Sequence, residues 1–553
     1  MKSIRILAAV GMTLLSAAQA SAQATEESTR LSAPLSELAV QPDILNALSA
    51  PSTAGRPARI ITAEMRGKGA AAVQAGDAAA DAGVVAAPPL SMMTFTGGTI
   101  LNFDGNSVNG SAPSDNNGAV GTTQYVQWVN SVYTVYNKTT GVVELGPVPG
   151  NTVFAGFMGS PGADACRLSN NGDPIAQYDK QANRWVLSQF AWLPANATTG
   201  PFFQCIAVST TSDATGTYNR YVFESRTAGG VISFPDYPKM GIWPDAYYIT
   251  YVLFNAAGTA YLGPQICGYD RSAMLSGATA VGKCKDFGTA FGPLLPSDLD
   301  GTTPPPAGSP NFVMGFDFNN AGVGNILQFW KFSFTTNTLS AITNLTVPAF
   351  TIGCPATFGG ACVSQATTTV KLDSLADRPM YRLSYRNFGG SPILEKMLLN
   401  HSIQQPTAAA NGPLGIRVYE IRNPSSVGVP LVKTTTHAPD TTSRWMGSVA
   451  MDKKGNWALG YSASDGATFP GVRYTGRNNP VSLSLLTSFA AEATIIAGTG
   501  AQLGTGNRWG DYSSMSIDPV DDCTFWYTQQ YIQTTGSFTW KTRIANFKFT
   551  TCI

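Results

Sequence analysis

The sequence of 553 residues predicts an all-β fold, and three observations support this prediction. Charged residues make up only 12% of the chain, against about 25% in an ordinary globular domain, so the charged surfaces that helices usually present are scarce. The 56 glycines, with many Thr, Ser and Asn residues, suit short strands joined by tight turns. A strand-and-turn pattern also recurs about every 64 residues from Asp115 onward.

The N-terminus has the features of an export signal. Lys2 and Arg5 precede an apolar run over residues 6–15, and small residues at 20–22 form a cleavage motif. The run is shorter than the 18 or more apolar residues that a membrane span requires. We therefore expect a signal peptide at 1–22 and a mature protein that is secreted or periplasmic, with no membrane span.

Residues 23–92 differ in composition from the rest of the chain. They are rich in Ala and contain neither Cys nor Trp. This composition predicts a flexible leader with one short helix around Asp43–Leu48. It is either a plain linker or a propeptide, and the β domain is expected to occupy 93–553.

Eight cysteines follow the signal, and none of them forms a C-x-x-C pair. An even number of cysteines in an exported chain predicts disulfides, although eight cysteines allow 105 pairings. Proximity in sequence favours four bonds: Cys166–Cys205, Cys267–Cys284, Cys354–Cys362 and Cys523–Cys552.

The repeating unit opens with a charged residue and continues into a strand of small and apolar residues. The opening residues are Asp115, Asp173, Asp236, Asp377 with Arg378, Arg444 and Arg508. The segment starting at Asn311 fills a gap between the third and fourth of them, which makes seven units. Seven sheets in one chain predict a β-propeller of about seven blades. Pairing of residues 94–103 with Trp540–Phe549, braced by Cys523–Cys552, would close the ring. The alternative is a row of separate β-sandwich domains.

A hairpin with a polar turn and an aromatic second strand recurs inside several units. The three examples are Tyr178–Trp185, Met451–Trp457 and Ile517–Phe525. Asp and Asn suit such turns because their side chains bond the local backbone, and the aromatic residue is expected to pack between sheets.

Several short sequence segments resemble those of a family of secreted bacterial proteins without a firmly assigned activity. They include Gly118-Ala-Val-Gly, Phe234-Pro-Asp-Tyr-Pro-Lys and Arg508-Trp-Gly-Asp-Tyr-Ser-Ser-Met, and the resemblance covers residues 95–550. More distantly, the units resemble sialidase propellers, whose blades carry the Asp-box S-x-D-x-G-x-x-W. Ser448–Trp457 departs from that motif, because Asp452 stands three residues before Gly455 instead of two.

The recurring charged residues are expected to meet in one funnel, since the first strand of each propeller blade lines the channel. The resemblance to sialidases implies that Arg378, Arg444 and Arg508 bind a substrate carboxylate. It also implies a tyrosine nucleophile with a glutamate partner and an aspartate acid, for which the candidates are Tyr512, Glu492, Asp511 and Asp236, with Asp115 as an alternative acid. Substrate contacts are expected from Asp115, Asp173, Tyr237, Trp445 and Trp509, with Trp243 as a further stacking surface.

Each of these assignments has a structural alternative. The charged residues could instead hold neighbouring blades together, and the aromatic residues could belong to the core. Asp115-Asn116-Asn117-Gly118 offers oxygen ligands for calcium, but a plain turn uses the same residues. No other cofactor is expected, because two histidines are too few for a His-based metal centre.

Two functions are the main candidates, and a general scaffold for cell-envelope proteins is a third option. The first is hydrolysis or lyase cleavage of a glycan at the mouth of the channel, with an acidic polysaccharide as one candidate substrate. The second is non-catalytic binding of a glycan at the cell surface or in a matrix. A net charge of +1 provides no field that would favour nucleic acid, and a monomer is expected.

Overall fold

The computed structural model of the chain describes residues 30–40, 95, 98–108, 113–406, 408–409, 411–478, 489–504 and 507–553. These residues form an all-β structure, which confirms the predicted fold class. The expected signal peptide at 1–22 and the helix expected around Asp43–Leu48 lie outside the described residues.

Two N-terminal strands, β1 (Arg30–Leu31) and β2 (Leu101–Ser107), precede seven sheets that follow one another along the chain. Sheet 1 contains β3 (Asn116–Val120), β4 (Gln124–Val129), β5 (Val132–Asn137) and β6 (Val143–Pro149). Sheet 2 contains β7 (Ile175–Asp179), β8 (Arg184–Ala191), β9 (Phe203–Ser209) and β10 (Tyr218–Glu224). Sheet 3 contains β11 (Ser233–Ile242), β12 (Ala246–Asn255), β13 (Tyr261–Asp270) and β14 (Gly282–Asp286).

Sheet 4 contains β15 (Leu295–Leu299), β16 (Asn311–Asp317), β17 (Val323–Ser333), β18 (Thr338–Leu339) and β19 (Thr343–Thr351). A separate hairpin follows, made of β20 (Ala361–Gln365) and β21 (Thr368–Asp373). Sheet 5 contains β22 (Met380–Asn387), β23 (Glu395–Gln404), β24 (Leu414–Arg422) and β25 (Leu431–His437). Sheet 6 contains β26 (Ser443–Met451), β27 (Trp457–Ser464), β28 (Gly471–Arg477) and β29 (Ala493–Ile496). Sheet 7 contains β30 (Ser514–Ile517), β31 (Phe525–Ile532) and β32 (Trp540–Phe547), with β2 paired to β32.

Helices are short and few in the described ranges: α1 (Leu35–Leu38), α2 (Pro161–Leu168) and α3 (Arg271–Ser276), with 3₁₀ turns at Gly150–Phe154, Pro194–Asn196 and Pro355–Thr357. Among the residues that the structure describes, no helix has the length and apolar character needed to cross a bilayer.

The first strands of the seven sheets lie side by side in chain order. Strand β3 contacts β7, which contacts β11, and the series continues through β15, β22 and β26 to β30, which in turn contacts β3. Strand β15 also pairs with β22 in parallel and so joins sheets 4 and 5. The terminal strands pair antiparallel, with Leu101 opposite Asn546 and Phe95 bridged to Phe549.

The fourth unit differs from its predicted position. The sequence suggested that the unit opens at Asn311, but that segment forms β16, the second strand of sheet 4. The first strand is β15, which carries Asp298. This residue bonds Arg382 and the backbone N–H of Ile242, so it links sheets 3, 4 and 5. Strand β15 escaped prediction because it contains no aromatic residue.

The three predicted hairpins are present as β7–β8, β26–β27 and β30–β31. The Asp179 carboxylate accepts bonds from the N–H groups of Gln181 and Ala182, and Asp452 bonds its own turn in the same way. The aromatic residues that follow the turns are buried: Trp185, Trp457 and Phe525. Local bonding by Asp therefore fixes each turn and positions the ring between sheets.

All four predicted disulfides are confirmed: Cys166–Cys205, Cys267–Cys284, Cys354–Cys362 and Cys523–Cys552. Four disulfides fit a protein that folds in an oxidising compartment.

Residues 30–40 depart from the expectation of a flexible leader. Strand β1 adds to the outer edge of sheet 2, with Arg30 opposite Arg220. Beyond it, the Ser32 N–H donates to the Tyr218 carbonyl at 2.9 Å, and Leu35 in α1 is fully buried. Leu35 and Leu38 pack in the core that sheets 1 and 2 share, with Phe154 and Phe157. This segment is therefore part of the folded domain.

Candidate active site

Three aspartates meet where the first strands of sheets 1, 2 and 3 begin. Asp115 and Asp173 stand just before β3 and β7, and Asp236 lies within β11. The backbone N–H of Tyr237 donates both to Asp173 Oδ2 and to Asp236 Oδ1, each at 3.0 Å. Because both oxygens lie 3.0 Å from the same nitrogen, they are at most about 6 Å apart. The repeat spacing in the sequence thus brings together carboxyl groups that lie 58 and 63 residues apart along the chain.

The backbone adopts an uncommon conformation at this point in each of these three sheets. The φ angles are 46° at Asp115, 46° at Asp173 and 53° at Tyr237, all in the left-handed region. For residues other than glycine this conformation costs on the order of 1 kcal/mol and persists only where the surroundings enforce it. Because the left-handed conformation recurs at the first strands of three sheets, we infer that the fold enforces it and so fixes the directions in which the side chains at these positions point.

Burial makes the aspartates of this cluster hold protons at unusually high pH. Burial, aided by the charge of Asp173, raises the pKa of Asp236 to about 7. Burial also raises the pKa of Asp173 to about 6, against the opposing effect of Lys239. The pKa of Asp115 is raised well above its usual value by burial and by the carboxylates of Asp511 and Asp173.

Lys239 lies buried beside the aspartates, between two tyrosine rings. Its amino nitrogen is 3.5 Å from the centroid of the Tyr237 ring and 3.7 Å from that of Tyr512, and it donates to the Pro238 carbonyl at 2.9 Å. Both rings provide cation–π contact. Burial lowers the pKa of Lys239 to about 7, although the carboxylates of Asp173 and Asp115 oppose the shift.

Two arginines of the predicted set belong to the same cluster, each bonded to an aspartate. The Arg378 guanidinium donates to both oxygens of Asp377, at 2.8 and 3.0 Å, and lies 4.6 Å from the Tyr237 ring centroid. Arg508 Nη2 donates to both oxygens of Asp511, at 2.5 and 2.6 Å. We call the set formed by Asp115, Asp173, Asp236, Tyr237, Lys239, Asp373, Asp377, Arg378, Arg508, Asp511 and Tyr512 the aspartate centre.

Two polar atoms of the aspartate centre are buried without a hydrogen-bond partner. They are an acceptor, Asp115 Oδ1, and a donor, Arg508 Nε. Asp115 is 3% exposed, and Arg508 retains 14% exposure of its side chain. Asp173 is also only half-buried, so Asp173 and Arg508 mark the side from which the centre is accessible. A buried polar atom without a partner is costly, and a bound hydroxyl could bond to such an acceptor or donor.

Arg444 and Glu492 lie elsewhere, contrary to the sequence-based assignment. Arg444 bonds Glu492 at 2.6 Å and Asp440 at 2.9 Å, and Glu492 also bonds Arg473, His437 and Tyr461. Tyr512 is therefore not the partner of Glu492. Its hydroxyl instead donates to the Pro174 carbonyl at 3.4 Å.

The register of the first strands explains the error at Arg444. In β11 a bulge follows Asp236 and the left-handed residue is Tyr237, whereas in β26 the bulge follows Trp445 and the left-handed residue is Met446. Trp445 thus occupies the position equivalent to Asp236. Arg444 precedes it by one residue, and a shift of one residue turns a strand side chain to the opposite face.

The aromatic residues predicted to stack on sugars belong instead to the core. Trp445 and Trp509 are fully buried, with ring centroids 5.5 Å apart, and they pack beside Tyr237 and Tyr512. Trp243 is 1% exposed and packs against Phe312 and Tyr385. None of the three tryptophans presents a ring face to solvent.

Two members of the centre were missed from the sequence. Lys239 stands three residues after Asp236, and the bulge between them directs both side chains to the centre. Asp373 lies at the end of β21, where burial raises its pKa to about 6 while Arg508 opposes the shift. The segment Phe234-Pro-Asp-Tyr-Pro-Lys places Lys239 beside a predicted site residue, so the sequence could have indicated Lys239. No feature of the sequence around Asp373 indicated that it belongs to the centre.

A calcium site at Asp115–Gly118 stays a prediction. The Asn117 side-chain oxygen accepts from the Ala176 N–H at 2.8 Å, and the Asn116 amide donates to Gln529. Across the described ranges, no group of three His, Cys, Asp or Glu side chains is arranged to hold a metal ion.

No protein-family model matches the chain, and no curated protein matches it. Among solved structures, an ulvan lyase of polysaccharide lyase family PL25 is 12% identical, with 80% of this chain and 97% of that chain covered and a TM-score of 0.33. A protein of unknown function from Dyadobacter fermentans is 10% identical, covers 68% and 94%, and has a TM-score of 0.33. An α-L-arabinofuranosidase from Lactobacillus brevis is 12% identical, covers 68% and 91%, and has a TM-score of 0.28. Similarity at this level does not define the activity of the present chain.

Proposed function

We propose that this chain is an exported, monomeric seven-bladed propeller that hydrolyses glycosidic bonds at the aspartate centre. The circuit of contacts from β3 to β30 and back to β3 supports one closed ring, with β2 and β32 as its seam. The observation that carries the function is the pair Asp173 and Asp236, whose oxygens share the Tyr237 N–H.

The two carboxyl groups suit an acid and a base. A retaining glycosidase places its two carboxyl groups about 5–5.5 Å apart, and the limit of about 6 Å between Asp173 and Asp236 is compatible with that distance. With pKa values of about 7 and about 6, Asp236 carries the proton more often than Asp173 near neutral pH. Asp236 is then the acid that protonates the leaving oxygen, and Asp173 is the nucleophile or base.

The charge of the centre favours a neutral glycan over an acidic one. It contains six aspartates but only three cationic residues: Lys239, Arg378 and Arg508. Both arginines already bond an aspartate, Arg378 through Nε and Nη2 and Arg508 through Nη2, so the carboxylate of a uronate or sialate would compete with a carboxylate of the protein. The hydroxyl groups of a neutral sugar suit the unpartnered Asp115 Oδ1 and Arg508 Nε, because a hydroxyl both accepts and donates. The proposal therefore replaces the acidic polysaccharide expected from the sequence.

Non-catalytic glycan binding is the second candidate, and the deep burial of the centre favours it. Asp236 is 6% exposed and Lys239 1%, so a sugar that contacts only Asp173 and Arg508 would not reach the proposed acid.

The test is incubation with matched neutral and acidic polysaccharides, followed by mass spectrometry of the products. New reducing ends from neutral glycans support hydrolysis, unsaturated uronates would indicate a lyase, and binding without products would indicate a binding module. Asp236→Asn and Asp173→Asn are expected to lower turnover about 10²- to 10⁴-fold. The control is Asp245→Asn, since Asp245 also has a raised pKa but bonds Tyr248 outside the centre. Equal loss in all three variants would contradict the assignment.

A further inference from the structure

Lys239 is a cation buried in the aspartate centre, and its hydrogen bond goes to a backbone group. It is 1% exposed, and its Nζ donates to the Pro238 carbonyl at 2.9 Å. Arg378 and Arg508 instead each donate to both oxygens of an aspartate. A lysine is rarely buried this deeply unless its charge interacts with an opposite charge. The carboxyl groups around Lys239 are therefore the groups on which its charge acts.

Two tyrosine rings fix the ammonium group beside Asp173. The Nζ atom lies 3.5 Å from the centroid of the Tyr237 ring and 3.7 Å from that of Tyr512, and the two rings are inclined at 77°. The Tyr237 N–H donates to Asp173 Oδ2 at 3.0 Å, and the Tyr512 hydroxyl donates to the Pro174 carbonyl at 3.4 Å. The residues whose rings hold the ammonium group are thus bonded to Asp173 and to the residue that follows it. The fold therefore sets where the charge lies relative to this carboxyl.

Different cations act on the two carboxyl groups of the proposed catalytic pair. Burial is the largest cause of the raised pKa at both Asp173 and Asp236. The strongest opposing effect at Asp173 comes from Lys239, whereas at Asp236 it comes from Arg378. Arg378 already donates to both oxygens of Asp377, which balances part of its charge. The geometry of the centre thus favours ionisation of Asp173 over that of Asp236.

The other titratable and charged groups around Lys239 and Asp173 come from the beginnings of sheets 1, 3, 5 and 7. They are Asp115, Asp236, Tyr237, Arg378, Arg508, Asp511 and Tyr512. Burial lowers the pKa of Lys239 to about 7 against the effects of Asp173, Asp115 and Asp511, and burial raises the pKa of Asp173 to about 6. Between these two values the ammonium group is mostly charged while Asp173 is mostly ionised.

We propose that Lys239 is a positioning residue: its ammonium charge keeps Asp173 ionised while Asp236 retains the proton, and it thereby assigns the nucleophile and the acid to particular residues. Two neighbouring carboxyl groups without such a charge titrate as a pair that shares one proton. The proton then spends part of its time on the wrong member, which lowers the fraction of protein ready for catalysis. The catalytic role of Lys239 rests on the proposed hydrolysis, whereas its effect on the titration of Asp173 does not.

The test is ¹³C NMR of the whole protein, labelled at the aspartate side-chain carboxyl carbons and titrated with acid. The Asp173 signal is identified by its loss in Asp173→Asn. Lys239→Met keeps the length of the side chain without its charge, and we expect it to raise the pKa of Asp173 by about 1 or more. In turnover, the acidic limb of the pH profile of kcat should move upward by the same amount, while KM should change little.

Lys180→Met is the matched control. Lys180 is also buried with a lowered pKa, but it follows the opposite end of β7 and lies 3.9 Å from Asp300. Its substitution is expected to leave the titration of Asp173 unchanged. Lys239→Gln provides a second neutral variant if Lys239→Met fails to fold.

The NMR titration separates failure of this inference from failure of the proposed function. If Asp173 titrates as in the wild type in the folded neutral variants of Lys239, or if Lys180→Met shifts it equally, the inference is wrong. A wild type that hydrolyses no glycan contradicts the proposed function alone, because the titration of Asp173 does not depend on turnover.

Discussion

Asp236 illustrates at the scale of one residue how a group can serve chemistry while it opposes folding. An aspartate titrates near 3.9 in an unfolded chain, whereas burial raises the pKa of Asp236 to about 7. The folded state therefore binds the proton more tightly. The protonated Asp236 carboxyl therefore contributes to the free energy of unfolding. This contribution is complete below about pH 4 and is lost as the pH rises through about 7.

Asp236→Asn is consequently expected to be more stable than the wild type above pH 7, by an amount on the order of a few kcal/mol. The difference should shrink towards pH 4. Urea unfolding at several pH values measures it. Asp300→Asn is the opposite control, because Arg382 and Lys180 overcome burial and lower the pKa of Asp300. That variant should lose stability at neutral pH, and a gain there would contradict the downward shift of the Asp300 pKa.

Arg444 is expected to matter for stability and not for turnover. Burial alone would raise the pKa of Glu492, but hydrogen bonds from His437, Arg444 and Tyr461 outweigh it and hold that pKa well below its usual range. Arg444→Met should destabilise the fold by about 3 kcal/mol at pH 7. The loss should diminish as the pH falls below about 4, because the glutamate of the unfolded chain then takes up a proton and the wild type loses the stability that the paired Glu492 provides. Denaturant unfolding at both pH values tests this. Loss of turnover with unchanged stability would return Arg444 to the active site.

The placement of single residues could be predicted from the sequence only where strand register was regular. Asp115, Asp173 and Asp236 lie close enough for their charges to act on one another, as their spacing predicted. Asp115 and Asp173 stand just before β3 and β7, and Asp236 lies within β11 beside the left-handed Tyr237. Arg444 does not join this cluster. The bulge in β26 follows Trp445, one residue after the charged Arg444, whereas the bulge in β11 directly follows the charged Asp236. A bulge reverses side-chain direction without a clear sequence signal.

At the scale of one element, β1 and α1 are expected to stabilise sheet 2. Leu35 is fully buried, so Leu35→Ala should cost about 3 kcal/mol, unless the segment detaches first and limits the loss. Leu31→Ala is the matched control, since Leu31 is 63% exposed and its loss should change little. Chemical unfolding and protease sensitivity of β10 report the effect. If both substitutions change the stability and the protease sensitivity equally little, residues 30–40 do not pack stably against sheet 2.

Elements were predictable where their turns carried local chemistry. The β7–β8 and β26–β27 hairpins were found because Asp179 and Asp452 bond their own turns. Strand β1 was missed because two residues in an Ala-rich segment show no periodicity. They form a strand only because they pair with the edge of β10. Such pairing depends on a partner almost 190 residues away, which local sequence does not reveal.

For the whole molecule, the disulfide at the seam between the chain ends is expected to stabilise the fold more than the disulfide that closes the shortest loop. Cys523–Cys552 closes 29 residues around β31 and β32, whereas Cys354–Cys362 closes 8. In the chain-entropy model the first bond stabilises by roughly 3 to 4 kcal/mol and the second by about 2 to 3 kcal/mol. Replacing Cys523 and Cys552 by Ser should thus cause the larger loss in urea unfolding. If the ring closes through β2 and β32, that variant should also lose hydrogen-exchange protection in β2 before the other sheets. Uniform loss across all sheets would instead argue that the terminal strands do not form the weak point of the ring.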